Sequence, residues 1–485
     1  MPSALQNSTT LEETQVSNKA ASFLAGRGGL YLSARYAVGV LISVANMFVL
    51  TWLIGPHNYG LFVTAITITS VLASLVRSGM DTYLVRCEHT PVREDYDAAW
   101  TAIAAFSACA MLIGAAVLPL LTWWLKSDEF VAAYLVTLLT VPLAGLAGPP
   151  TAKLERALEF RAVATIELIG QSLALFSGLY LALQGFGLWA PVAGQVIWQV
   201  FVLIAGLCIG HFRPRFRMDR ARLRQMLAFG VGYTASQRTW QLRALVNPLI
   251  VGHFIGAEGV AFVGLAIRIA EGLGFIRTAA ARLAIASLAR VQHDAALMKS
   301  ALQKALRGQV IVLGTLLGGF AVLGPFLFGH VIGLRWIPVL RIYPLVAIAV
   351  LVNSIYNLQA AALFVVGRQW IVLSAYLIHI FLFAISAVVL VPHCGLAGYG
   401  VADLVACCAY PVLHLGTQSL FGNCSRVLWG WVFSFGLLLA TLFTSGVWWI
   451  FTFIASVAMV GFVHSIERRG PGSRAKVLRE VLLRG

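Results

Sequence analysis

Charge is what this sequence has least of. Asp, Glu, Lys and Arg make up 11% of its 485 residues, where a soluble chain carries roughly 25%. That scarcity excludes a water-soluble enzyme, because exposed area grows with chain size alongside the core and cannot all be apolar. Acid is scarcer than base, with 19 Asp and Glu against 35 Lys and Arg. The seven cysteines show no CxxC or Cys/His spacing, and Cys109, Cys208, Cys407 and Cys408 fall inside apolar runs. Neither a disulfide framework nor a metal site is therefore expected. Residues 1–27 are rich in Ser, Thr, Asn and Glu and lack the basic-then-apolar order of a signal peptide, so they read as a disordered cytoplasmic tail. Missing too are paired carboxylates, a phosphate-cradling glycine loop followed by Lys, and a nucleophile elbow. The connections are too short to house an extramembrane catalytic domain, so a transporter is expected rather than an enzyme, and no cofactor beyond a coupling H⁺ or Na⁺.

What is present is hydrocarbon: 59% of the residues are hydrophobic and the mean hydropathy is +0.85. A spanning helix needs about 20 mainly apolar residues. The pattern predicts an all-α polytopic membrane protein with about 14 transmembrane helices. They fall near 30–54, 61–80, 98–125, 130–150, 163–184, 187–209, 227–255, 260–281, 305–329, 343–366, 370–391, 400–420, 427–446 and 447–464. The seventh and eighth are interrupted by Arg238 and Arg243, and by Arg268, Glu271 and Arg277. Trp123-Trp124 and Trp448-Trp449 read as interface anchors.

The basic residues set the expected topology. With a cytoplasmic N-terminus and every helix crossing, 28 of the 35 Lys and Arg fall on the cytoplasmic side. The largest groups are Arg213–Arg224 and the tail Arg468–Arg484. Only Lys126, Arg335 and Arg341 fall opposite, and four lie within helices 7 and 8. Both termini are expected inside. The net charge of +16 is thereby accounted for without nucleic acid, and the partners expected first are membrane lipids.

An internal repeat is visible at a shift of 201 residues: Asn46 falls on Asn247, Ile54 on Ile255, Gly55 on Gly256, Ala65 on Ala266 and Ile68 on Ile269. It predicts two parallel six-helix lobes. The expected division is a tail at 1–27, an N-lobe with its basic linker at 28–226, a C-lobe at 227–425, helices 13 and 14 at 426–466, and a basic cytoplasmic tail at 467–485.

Three stretches carry a resemblance. Ile54-Gly-Pro-His-Asn-Tyr-Gly60 is similar to an L-G-P-x-x-Y-G turn, with Gly55, Pro56, Tyr59 and Gly60 in register. Arg156-Ala-Leu-Glu-Phe160 with Gly185-Phe-Gly-Leu-Trp-Ala190 is similar to R-x-L-x-F … G-x-G-x-W-A, and Phe254-Ile-Gly-Ala-Glu258 through Arg268 to F-L-G-A-E … Y-x-x-A-x-R. Together, over roughly residues 28–425, they resemble the bacterial polysaccharide transporters, the Wzx-type oligosaccharide flippases of the multidrug/oligosaccharidyl-lipid/polysaccharide exporter superfamily. The chain departs by carrying Asn247 where members often have Asp, and Phe262 where they have Tyr. The resemblance implies a flippase in the bacterial inner membrane working by alternating access. Its cargo would be an undecaprenyl-diphosphate-linked oligosaccharide for exopolysaccharide, capsule or O-antigen (lipopolysaccharide) synthesis. The implied partners are that lipid-linked oligosaccharide and a polysaccharide polymerase with its export machinery.

Charge at membrane depth costs at least about 2.5–3.5 kcal/mol, so Arg238, Arg243, Arg268 and Arg277 need an interior, a wet cavity or a partner. They are expected to line a cationic cavity, because guanidinium forks grip phosphate oxygens and stay charged. Arg268 and Glu271, three apart, could instead pair with each other. Arg35 and Arg77 are placed at the cytoplasmic mouth, where ordinary snorkelling is the favoured account of both. Glu167 and Glu271 are the candidate ion-coupling acids, and Asp403 reads as a counter-ion or an interfacial residue. Asn46 and Asn247 read as helix–helix hydrogen-bonding groups, and His379 as a core residue. A drug antiporter of the same superfamily is the alternative; its often cationic cargo would favour a cavity richer in acid.

Overall fold

The computed structural model describes residues 48–468 apart from 88–89, 275–276, 278–294, 423–427 and 445. Arg35 and Asn46 lie outside the described residues, as do both terminal tails. Every described secondary-structure element is a helix. This is what a solvent without hydrogen-bonding capacity demands, since a helix satisfies its backbone within the segment. Nine helical runs among the described residues are long and apolar enough to cross a membrane, with Leu428–Phe443 a shorter apolar one.

Left-handed residues divide these runs. Phe48–Arg77 is split at Gly55 (φ 76°) into α1 (48–54) and α2 (56–77). A short helix, Met80–Arg86, leads to α3 (Arg93–Leu125), α4 (Val131–Arg156), α5 (Phe160–Leu183) and α6 (Trp189–Ile209). Helix α7 begins at Arg220, earlier than its apolar stretch suggests, because Asp219 accepts the backbone N–H groups of Ala221 and Arg222 as an N-cap. Those bonds, that of Arg222 first, hold the Asp219 carboxyl below the usual carboxylate range.

Helix α7 (Arg220–Leu242) continues through a 3₁₀ turn, a π turn at Asn247–Val251 and Gly252–Phe254. Pro248 explains the π turn, since it has no N–H for the α ladder. Gly256 (φ 90°) then opens α8 (Ala257–Leu273). The same left-handed glycine thus occupies the same place in both copies of the sequence repeat. Next come α9 (Ala295–Leu327) and α10 (Pro338–Val365). Gln369–Ala406 breaks at Gly395 (φ 57°) into α11 (369–394) and α12 (396–406), which is prolonged through Pro411–Phe421. The two run antiparallel, with Ser386 reaching the Ala402 carbonyl and His379 the Ala406 carbonyl. Helices α13 (Leu428–Ala440) and α14 (Val447–Arg468) complete the chain.

The core has two centres. One gathers Met80, Trp100, Ile103, Phe130, Tyr134 and Val141 with Phe212 and Met226. The other gathers α8 to α13, for example Val263, Leu306, Tyr343, Leu351 and Phe383, and reaches Leu50, Tyr59 and Phe62. Met226, beside the expected lobe boundary, lies in the first cluster while α7 packs along α11. Helix α7 therefore belongs to both halves.

The motif stretches have mechanical roles. Arg156 Nη1 donates to the carbonyls of Val85 (2.7 Å) and Cys87 (2.9 Å), closing the end of the short helix. Asn58 Nδ2 donates to the Ile54 carbonyl across the Gly55 turn and lies against Gly187, so two of the motifs meet. Gly60 crosses Ala257 so closely that a Cβ would stand 1.7 Å from its carbonyl oxygen. Gly60→Ala is expected to force α2 from α8 and cost about 1–3 kcal/mol. Gly308→Ala, at an open position of α9, should be neutral or stabilising by up to about 1 kcal/mol. Thermal unfolding of both variants in one detergent compares them; equal melting temperatures would refute the tight crossing.

Candidate functional site

Arg243 and Arg268 stand at similar depth. They are 13 and 12 residues from the Gly256 turn, on either side of it, or roughly 18–20 Å along their helices. Arg243 is nearly buried between two carboxylates: Nη1 lies 3.4 Å from Asp403 on α12 and Nη2 3.4 Å from Glu271 on α8. Its guanidinium also sits over the Trp240 ring, 4.8 Å from the centroid, a further attraction for a cation. Glu271 is thus taken by Arg243 and not by its neighbour Arg268. The acids absent within one turn of Arg243 are supplied by other helices.

This ion cluster continues into an aromatic one. His379 is fully buried; its Nδ1 is 3.0 Å from the Ala406 carbonyl and its Nε2 3.9 Å from Asp403. It stacks on Tyr410 and packs at a tilt against Trp240. Arg277 Nη1 donates to Asn353 Oδ1 (3.0 Å), and Asn353 Nδ2 to the Tyr410 hydroxyl (2.5 Å). Helices α7, α8, α10, α11 and α12 are joined in this way. Asp403 is a buried counter-ion here, not an interfacial residue.

Arg268 is exposed, with its guanidinium 5.8 Å from the centroid of the Tyr59 ring on α2. Arg238 lies within electrostatic range of Asp81 and Arg77; Arg77 itself is 3.9 Å from Asp81. Among the described residues no carboxylate forms an ion pair with Arg238 or Arg268. Glu167 is exposed on α5, whose main partner is α6. Asn247 Nδ2 donates to the Val260 carbonyl (3.2 Å), tying α7 to α8 across the Gly256 turn.

Side-chain contacts lie at both ends of the bundle. On the side of the Gly55 and Gly256 turns, Trp124 Nε1 donates to the Leu249 carbonyl (2.8 Å) and the His253 ring stacks on Trp124 at 4.0 Å. Trp124 is therefore a contact between halves rather than a lipid anchor, whereas Trp123 is 70% exposed. At the other end Arg222 meets Asp95 at 2.5 Å. An apolar cleft of about 590 Å³ opens beside the Gly185 turn, lined by residues such as Val136, Leu181, Trp189 and Val196.

Residues 49–341 match the family model described as polysaccharide biosynthesis protein. The chain belongs to that family. Over 194 residues it is 28% identical to the succinoglycan biosynthesis transport protein ExoT of Rhizobium meliloti (strain 1021), a stretch covering 39% of this chain and 38% of the relative. Among solved structures it is similar to a lipid II flippase MurJ in an inward closed conformation, with TM-score 0.70 and 13% identity, covering 91% of this chain and 99% of that one. An inward-facing multidrug resistance MATE family transporter follows, with TM-score 0.61 and 14% identity, covering 80% and 99%. At such identities these likenesses establish the fold: a polytopic helical membrane protein of the flippase and MATE architecture. Family and fold together make the chain a polytopic membrane protein of the polysaccharide biosynthesis family.

Sequence reasoning underrated Asp81, Asp403, Asn353 and His379. The signal was present, since each is a polar residue within or beside an apolar run, but their partners lie on helices distant in sequence. Arg243→Met, which strands both carboxylates, is expected to cost about 3–5 kcal/mol. The double variant Arg243→Met/Asp403→Leu should cost clearly less than the sum of the two singles. Denaturation of the three variants in detergent measures the coupling, and strict additivity would mean the ion pair is not formed.

Proposed function

We propose that the chain is a flippase of the bacterial inner membrane that moves an undecaprenyl-diphosphate-linked oligosaccharide outward by alternating access. The polymer served would be an exopolysaccharide, capsule or O-antigen. The observation that carries the reading is that neither Arg268, well inside α8, nor Arg238 forms an ion pair with a carboxylate among the described residues. Uncompensated guanidinium there lowers the barrier for an anion that hydrocarbon would repel, and its fork suits phosphate oxygens. Arg77 and Arg238 would receive the diphosphate at the cytoplasmic end, and Arg268 would hold it between the lobes, with Arg243 and Arg277 behind it. Arg35 on the first helix is assigned to the same mouth from sequence alone.

In this reading the N-lobe (28–226) and C-lobe (227–425) rock about the fixed site, with both termini cytoplasmic. The contact between the lobes at one end, Trp124 with His253, would open in one of the alternating states. The prenyl chain stays in the bilayer, and a polysaccharide polymerase with its export machinery would take the product. Glu167 and Glu271 remain the candidates for coupling to H⁺ or Na⁺. An antiporter of cationic drugs is disfavoured because two acids at the centre, Glu271 and Asp403, are both held by Arg243.

The test is a deletion strain complemented with wild type or with Arg268→Ala at equal membrane levels. Loss of surface polymer and accumulation of lipid-linked oligosaccharide in the inner leaflet are expected on deletion. Arg268→Ala should restore no more than about a tenth of the polymer, corresponding to loss of roughly 1.4 kcal/mol or more. Normal polymer with altered drug sensitivity would replace the flippase by the antiporter.

A further inference from the structure

We infer that the segment between α6 and α7 is a binding surface for anionic phospholipid headgroups. Residues 213–219, Arg-Pro-Arg-Phe-Arg-Met-Asp, form no helix. They are nevertheless fixed. Phe212 is buried against Tyr96 and Trp100. Thr101 Oγ1 on α3 accepts the Arg217 N–H (2.9 Å), and Lys153 donates to the Gly210 carbonyl (2.9 Å). The far end is held by the Asp219 cap and the pairing of Arg222 with Asp95.

Every one of these anchors leaves the side chains of Arg213, Arg215 and Arg217 unused, and all three are exposed together with Arg220 and Arg224. Among them Phe216 is 76% and Met218 52% exposed. An extended stretch of this length spans roughly 20 Å, and it starts only a few residues beyond the membrane helix α6. Apolar side chains exposed at the rim of a membrane protein, set between guanidinium groups, fit the boundary between phosphate headgroups and acyl chains. Water alone on that face would leave Phe216 unexplained. The neighbouring turn repeats the chemistry, with Leu158 (φ 60°) and Phe160 exposed beside Arg161. Positive-inside topology would be satisfied by the charges in any conformation; the fixed backbone and the interleaved apolar groups are what point to a lipid surface. Because the segment ends at the N-cap of α7, the helix shared by both halves, lipid bound here would restrain the start of that helix.

The experiment uses the full chain in nanodiscs of phosphatidylcholine alone, or with about one-third phosphatidylglycerol, and follows amide exchange of residues 213–218 by mass spectrometry. Exchange is expected to slow about tenfold with phosphatidylglycerol, and the difference to shrink at high salt. The triple variant Arg213→Gln/Arg215→Gln/Arg217→Gln should lose the difference. Its fold is checked by unchanged exchange in α3, since the anchoring bonds use backbone atoms of the segment. Phe216→Ser should speed exchange in both lipid mixtures. Equal exchange in the two lipids would overturn the inference, as would slowing that survives in the triple variant. Greater protection by added polyglutamate than by phosphatidylglycerol would assign the surface to an acidic protein instead. Both faces of a nanodisc carry the same lipid and no cargo is present, so the outcome is independent of the proposed substrate and sidedness.

Discussion

A guanidinium held away from water must find its counter-charge inside the protein, and Arg243 finds two. Its bonds to Asp403 and Glu271 tie α7 to α12 and α8 at one point, and through Trp240, His379, Tyr410 and Asn353 the same point reaches α11 and α10. Removing such a charge from water is costly, and only several partners of good geometry offset the cost. The second half of the chain is consequently organised around one ion cluster within its apolar core. The first half has no equally buried cluster among the described residues. Its pairs, Arg77 with Asp81 and Arg222 with Asp95, lie at one end of the bundle, where water and headgroups assist.

The same solvent governs the backbone. Helices do not end in hydrocarbon, and most reversals among the described residues are made in few residues, where a tight turn calls for positive φ. Gly55, Gly185, Gly256, Gly333, Gly395 and Gly446 supply it at one face, with Lys126 serving between α3 and α4; Gly79, Leu158, His211, Gly367 and Gly422 supply it at the other. A residue with a Cβ in that region is strained unless neighbours hold it. Leu158 is held by its place in the Arg156 turn, where Leu158 N–H reaches the Glu155 carbonyl at 3.0 Å. The family motifs are therefore concentrated at reversals and at helix crossings, where backbone geometry constrains residue choice most.

The layers of this architecture differ in how far sequence discloses them. Helix number and order follow from apolar run length, because lipid thickness imposes it. The correspondence of Gly55 with Gly256 could be read directly, since glycine and asparagine matches stand out in an apolar background. Two features were not legible. The start of α7 at Arg220 depends on the Asp219 cap, which an apolar window ignores. The partner of Glu271 could not be read either: along the helix it looks like Arg268, and in space it is Arg243, 28 residues away. Local spacing decides pairing on an isolated helix, whereas in a bundle the deeper, more desolvated charge competes more strongly for the acid. Arg268 is exposed and Arg243 is nearly buried, so the carboxylate goes to Arg243.

That competition also separates two kinds of arginine. Arg243 and Arg277 are matched in number by Glu271 and Asp403, so the inner cluster carries no net charge with all four ionised. A diphosphate placed there would first have to displace a carboxylate. Among the described residues Arg238 shares the acid Asp81 with Arg77, and Arg268 is accompanied by the Tyr59 ring and by acid already engaged elsewhere. Excess positive charge therefore lies along α2, α7 and α8, where the two halves face each other, and not within either core. An anion drawn to that seam would contact both halves at once. Its binding energy would depend on how the halves are placed, and only a ligand with such a difference between states can shift a conformational equilibrium. For the proposed function, neutrality inside the second half and positive charge at the seam would be complementary: the first would keep the half rigid, and the second would let cargo act on the motion between halves.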